Sequence, residues 1–190
     1  MHIGSQIIGI AGHAGAGKGT IAKWFGDVHQ AFEDSFAFPI KQTLIGMFPQ
    51  WLTWKHFEDR DLKEAAIPEL GRSPRELAQL LGTEFGRRAH SDLWVIMLAE
   101  RMKRYFPHGR TTPYVIADLR FDNEADWIRA NGGIVIHVER PEFDGNVGVR
   151  GHASEAGLTA EVEDYYFCNK GTIDDLRFDL AQTFPAAPSA

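Results

Sequence analysis

Short, continuously apolar runs alternate along this chain with longer stretches in which apolar residues recur every three or four positions. Gln6–Ala11 (QIIGIA) is the first such run; it is β-branched and predicts a buried strand. A glycine-rich stretch, Gly12–Gly19, follows, and Thr20–Ala31 then places Ile21, Trp24, Phe25 and Val28 at helical spacing. Ser35–Phe38 predicts a second short strand. A helix over about Pro39–Phe48 comes next, its proline tolerated in the first turn. Trp51–Arg72 is rich in charge and aromatics, holds Pro68 and Gly71, and predicts short helix mixed with loop.

Ser73 opens the clearest helix, with Ser73 as N-cap, Pro74 at N1, Glu76 completing a capping box, and Leu77, Leu80 and Leu81 on one face. A further helix over about Ser91–Tyr105 is nearly apolar all round at its start, which predicts a buried N-terminal half. Tyr114–Asp118 (YVIAD) and Ile134–Val138 (IVIHV) read as apolar strands on either side of a helix over Asp122–Asn131 closed by Gly132 and Gly133. Pro141–Leu158 carries four glycines and no periodicity, as a long surface loop would. Tyr165–Cys168 is the last strand, and Thr172 caps a final helix with Asp174 and Asp175 in its first turn. Strands alternating with helices predict an α/β fold with a mainly parallel sheet, whose ligands bind at the carboxyl ends of the strands. Gly12–Gly19, Asp118 and Arg140 all fall at such ends.

Composition narrows the function classes. The 190 residues suit one domain. The 20 Lys and Arg against 26 Asp and Glu give a net charge of −6, which argues against a dedicated nucleic-acid binder. The lone Cys168 excludes an internal disulfide and a cysteine-based zinc site, and His152 with Cys168 lacks the spacing and ligand count for a metal. No apolar run approaches the length of about 18 residues that a membrane span needs. The apolar N-terminus lacks a basic lead-in and runs straight into the glycine loop, unlike a secretory leader. A cytoplasmic protein is expected.

Gly12-His13-Ala14-Gly15-Ala16-Gly17-Lys18 fits the phosphate-binding pattern G-x-x-x-x-G-K between a strand and a helix. The glycines, here Gly15, Gly17 and Gly19 with Ala16 between, let successive backbone N–H groups turn toward phosphate oxygens, and the helix start adds its positive dipole end. Lys18 supplies a point charge for the β/γ-phosphates. The generic pattern has Ser or Thr directly after the lysine as a magnesium ligand, but here Gly19 intervenes and the hydroxyl is on Thr20. The form G-x-x-G-x-G-K-G-T resembles that of adenylate kinase and its small-molecule kinase relatives. Asp118 ends an apolar strand, where an acid can hold Mg²⁺ or contact an acceptor nucleotide. Asp118–Glu124 packs five polar groups into seven residues, a density that favours a site over a plain turn.

Ser73–Thr83 (SPRELAQLLGT), Trp94-Val95, Asp118–Glu124, Val135–Pro141, His152–Leu158 (HASEAGL) and Asn169–Leu176 occur in an order that resembles phage-type deoxynucleoside monophosphate kinases, of the P-loop superfamily. The likeness covers about Ile7–Leu180 and is weakest across Trp51–Arg72. It implies a sheet of about five parallel strands flanked by helices in one domain over 1–184, with an acceptor-side helical segment near 49–92, a lid at 141–158 and a frayed tail at 185–190.

The resemblance also implies roles. ATP is the phosphoryl donor, a deoxynucleoside monophosphate the acceptor and Mg²⁺ the metal, with Thr20 and Asp118 as its candidate ligands. Lys18 and Arg120 neutralise the transferring group. Lys41, Arg75, Thr83, Trp94, Asp118 and Glu124 belong to the acceptor side. Arg140 with Asn169 and Gly171 encloses adenine, and Arg150 and Glu155 lie on the lid beside His152 and Ser154. Homodimers occur among such relatives, whereas membrane or nucleic-acid partners are not implied. A monophosphate has a second pKa near ~6, so it is already a dianion at neutral pH and needs no general base. The alternatives are another small-molecule P-loop kinase, such as dephospho-coenzyme A kinase, and a nucleotide-binding regulatory module without transfer activity.

Overall fold

The computed structural model describes residues 6–141 and 158–186. Its core is a five-stranded, wholly parallel sheet in the order β2-β3-β1-β4-β5. These strands are β1 (Ile7–Ala11), β2 (Phe32–Asp34), β3 (Tyr114–Leu119), β4 (Ile134–Glu139) and β5 (Tyr165–Cys168). The three central strands are almost wholly buried, as expected of a parallel sheet covered on both faces. The chain runs from β1 out to the β2 edge, returns through β3, and crosses β1 to reach β4. The winding therefore reverses at β1, and the carboxyl end of β1 opens into a crevice.

Two apolar layers cover the sheet. Helices α1 (Lys18–His29) and α8 (Ile173–Thr183) bury Ile21, Phe25, Leu176, Leu180 and Phe184 against one face. On the other, α2 (Phe38–Met47), α6 (Leu93–Tyr105) and α7 (Asp122–Ala130) supply Ile40, Leu44, Leu98 and Ile128. The short helices α3 (Lys55–Glu58) and α4 (Arg60–Glu64) fill the segment expected to mix helix and loop. Ser73 forms the expected capping box with Glu76 at the start of α5 (Pro74–Gln79). That helix then widens into π-helical turns over Leu80–Arg87.

Two expectations need correction. The second strand is Phe32–Asp34, not Ser35–Phe38. Glu33 and Asp34 mask it in the sequence. Asp34 nonetheless sits inside, because Arg101 donates to both its oxygens and the Tyr114 hydroxyl donates to one. Helix α6 is also not buried all round at its start: Trp94, Val95 and Leu98 face the core, while Ile96 and Met97 are exposed.

Candidate active site

The crevice begins where β1 ends. Gly12 has φ +150°, and a Cβ there would lie 2.3 Å from the Val138 carbonyl oxygen, so a side chain is excluded. Gly17, at φ +115°, is the N-cap of α1 and provides no side-chain cap, and the first turn holds no acid. The leading N–H groups of α1 therefore have no side-chain cap at the mouth of the crevice, a helix end suited to an anion. The Lys18 ammonium lies over this loop and donates to the carbonyls of Gly12 and His13. Ala16 is buried, and its carbonyl accepts the Asn169 side-chain amide at 2.9 Å. The Asn169 backbone N–H in turn donates to the Glu139 carbonyl at 2.7 Å, fastening the end of β5 to the end of β4. Gly12, His13, Lys18, Arg120, His137 and Glu139 line the resulting cavity.

A second cavity adjoins the first. It is lined by Lys41 from α2, Arg75 from α5, Thr83 from the π-helical turns and Trp94 from α6, together with Asp118, Arg120 and Glu124. The structure thus brings to one place all seven of these residues singled out in the sequence. Arg120 lines both cavities. The Asp118 carboxylate accepts the N–H groups of Phe36 and Ala37, each at 2.9 Å, and so fixes the turn between β2 and α2 that carries Lys41. The buried Arg75 donates its Nε to Glu64. Trp94 donates its indole N–H to the Gly82 carbonyl at 2.8 Å, and a Cβ on Gly86 would come within 2.2 Å of its ring. The π-helical turns thus rest on the tryptophan face.

Glu124 organises the rear wall. One oxygen accepts the N–H groups of Arg120 and Phe121, at 3.0 and 3.2 Å, and the other pairs with the Arg87 guanidinium. Burial pushes this carboxyl up to about 7, against the pull of Arg87 and the two N–H groups. Arg87 lies 3.5 Å above the Phe121 ring, and burial lowers its own affinity for the proton.

Arg87, Lys63, Gln79 and Phe57 also line the second cavity, and sequence reasoning did not single them out. Arg87 lies beyond the capped helix that the sequence marks, at the end of the π-helical turns. Lys63 lies in the segment without legible periodicity. Its proton affinity is depressed to about 8, by burial first and then by Arg75, Lys41 and Arg120. Arg140 follows β4 on the surface, and Gly171 is exposed ahead of the Thr172 cap of α8; neither lines the two cavities. Arg150 and Glu155, with His152, Ser154 and the expected lid, fall outside the described residues.

Among the described residues, no group of three or more His, Cys, Asp or Glu side chains could hold a metal by itself. Magnesium carried on phosphates needs only one or two protein oxygens. Thr20 lies in the first turn of α1, next to the loop, and its hydroxyl is of the type that need calls for. No helix among the described residues is long and apolar enough to cross a membrane.

The family model for deoxynucleotide monophosphate kinase matches residues 53–180. A deoxynucleoside-5'-monophosphate kinase of Escherichia phage T5 is 26% identical over 241 residues, covering 93% of this chain and 94% of its own. A relative from Acanthamoeba polyphaga mimivirus, named for deoxynucleotide monophosphate kinase activity, is 31% identical over 186 residues, covering 89% of this chain and 91% of its own. The deoxynucleotide monophosphate kinase of Enterobacteria phage T4 is 35% identical over 112 residues, covering 58% of this chain and 45% of its own.

Proposed function

Because the chain belongs to the deoxynucleotide monophosphate kinase family, we propose that it transfers the terminal phosphoryl group of ATP to a deoxynucleoside 5'-monophosphate, giving ADP and the deoxynucleoside diphosphate. The observation that carries this reading is the position of Arg120, which lines both the phosphate-loop cavity and the cavity beside it. A guanidinium there can contact donor and acceptor phosphates together.

Phosphoryl transfer asks for alignment and charge neutralisation more than for covalent help from the protein. The loop Gly15–Thr20 holds the donor phosphates through backbone N–H groups, and Lys18 leaves its loop carbonyls for the β/γ-phosphates. Thr20, at the start of α1, would hold the magnesium that accompanies the donor, and that ion would supply charge neutralisation at the phosphate oxygens. Asp118 belongs to the acceptor side, since its carboxylate faces the second cavity and secures the turn leading to Lys41. Lys41 and Arg75 hold the acceptor phosphate, while Thr83 and the wall supported by Trp94 receive the nucleoside. Glu124 acts through Arg120, whose backbone it fixes. Arg140 and Gly171 remain candidates for the adenine end, and Arg150 and Glu155 for closure over the phosphates. We place this reaction in the cytoplasm, on small-molecule substrates, without nucleic acid or membrane.

The test is ADP release from ATP with each common deoxynucleoside and ribonucleoside monophosphate in turn. Strong stimulation by deoxynucleoside monophosphates is expected. ATP consumption indifferent to every acceptor would overturn the reading.

A further inference from the structure

Lys63 stands out among the groups around the second cavity. It projects from α4, a short helix in the least legible segment of the chain, yet it lines the same cavity as Lys41, Arg75 and Arg120. Besides Arg87, which is paired with Glu124, four cationic side chains, from α2, α4, α5 and the turn after β3, thus converge on one space. Such a gathering is unfavourable in the free protein, since like charges in a partly desolvated site repel. The adjoining carboxylates do not remove the cost at Lys63. Glu64 pairs with Arg75, Asp118 is held by two backbone N–H groups, and Glu124 pairs with Arg87. Among the described residues no carboxylate forms an ion pair with Lys63.

We propose that Lys63 is a binding residue for the acceptor phosphate, a fourth cation closing on the dianion together with Lys41, Arg75 and Arg120. This rests on the kinase reading above, and it assigns a contact from a helix that no motif marked.

A consequence in protons follows. In the free protein the groups facing Lys63 are Arg75 from α5, Lys41 from α2, Arg120 from the turn after β3 and Glu64 from its own helix. Burial and the three cations outweigh Glu64 and hold the ammonium's pKa down to about 8. A phosphate dianion in the cavity reverses that balance and restores the charged form. With its pKa held to about 8, Lys63 is partly deprotonated in the free protein at pH 8, so binding draws in a fraction of a proton per acceptor. The phosphate itself, with a pKa near ~6, contributes almost nothing at that pH.

The experiment is titration calorimetry of the intact protein with dTMP, dGMP, dCMP and dAMP at pH 8, in two buffers of different ionisation heat. Wild type, Lys63→Met and Lys63→Arg are compared. The wild type should take up a fraction of a proton on binding, and its affinity should fall as pH rises from 8 to 9.5. Lys63→Met should bind about tenfold or more weakly, with no uptake. Lys63→Arg, charged throughout, should keep most of the affinity without the uptake or the pH slope. Unfolding of each variant is followed alongside, and Lys63→Met should be at least as stable as wild type, because it removes a repelled charge. Tight acceptor binding by Lys63→Met, or the same proton uptake in wild type and variant, would overturn the assignment while leaving the kinase reading intact. If no deoxynucleoside monophosphate binds the wild type or stimulates ADP release, the kinase reading itself fails.

Discussion

Asn169 donates its side-chain amide to the Ala16 carbonyl at 2.9 Å, tying the end of β5 to the phosphate loop across 153 residues of chain. The same amide fills the space that a side chain on Gly17 would need, since a Cβ there would meet its nitrogen at 2.8 Å. Asn169 therefore shapes the loop from behind, whatever it also contributes to an adenine pocket.

Replacing Asn169 with Ala leaves the Ala16 carbonyl without this donor and opens room behind Gly17. A lost buried hydrogen bond costs about 1–3 kcal/mol. The expected result is a raised Michaelis constant for ATP together with a reduced turnover, because a loosened loop misplaces the donor phosphates. The constant for the acceptor should change little. Steady-state kinetics with each substrate varied in turn decides this, and unchanged ATP parameters would remove Asn169 from the loop's support.

Lys18 gives a sharper contrast between folding and function. Its ammonium rests on the carbonyls of Gly12 and His13 at the surface of the crevice, not in the core. Lys18→Ala should therefore unfold at nearly the wild-type temperature. Turnover should drop by about 10²–10³, the usual effect of deleting one preorganised charge partner. A variant with more than half the wild-type turnover would sink the assignment of this loop to the donor phosphates.

The parts of this site that were legible in the sequence share one property: local spacing determined them. The phosphate loop, the Ser73 capping box and the acid ending β3 each follow from a few consecutive residues whose types leave little choice. Lys63 and Arg87 were not legible, because their places depend on tertiary packing and on a widening of the helix. Leu80–Arg87 is π-helical, so its residues turn differently from those of an α-helix, and Arg87 swings onto the wall with Glu124. Edge strand β2 was hidden for a related reason. Its acid Asp34 is internal only because Arg101 and Tyr114, 67 and 80 residues away in sequence, satisfy it.

Acid sensitivity should centre on Asp164. Burial alone would raise its pKa, but donors from Arg129, the Glu161 backbone and His137 outweigh burial and hold it below its ordinary value of 3.8. A carboxylate whose folded pKa is depressed adds stability that is present above 3.8 and is lost as pH falls through the folded value. Asp164→Asn should accordingly lower stability at neutral pH and flatten the acid limb of the stability curve. Urea unfolding between pH 2.5 and 7 measures both effects. A variant with an acid limb as steep as that of wild type would place the sensitive group elsewhere.

The Arg87–Glu124 pair yields the last prediction, and it separates a pair's worth from the cost of breaking it. The side chains are 14% and 3% exposed, and Glu124's pKa is raised because burial exceeds the attraction of the guanidinium. Removing one partner strands the other, which typically costs about 3–5 kcal/mol. Removing both with well-packed neutral groups costs far less, because the desolvation of two charges disappears as well. Glu124→Gln should therefore destabilise the protein strongly, and adding Arg87→Met should restore most of the loss. The amide introduced by Glu124→Gln still offers an oxygen to the N–H groups of Arg120 and Phe121, so in that double variant Arg120 should stay in place and turnover should survive. Glu124→Ala with Arg87→Met removes that oxygen and leaves both N–H groups without their acceptor, so it should be less stable than the other double variant. While still folded, it should lose turnover if Glu124 serves the reaction by positioning Arg120. Chemical unfolding and turnover, measured on the three variants and wild type, separate the two roles of Glu124. Equal turnover in the two double variants would reduce Glu124 to a purely structural role.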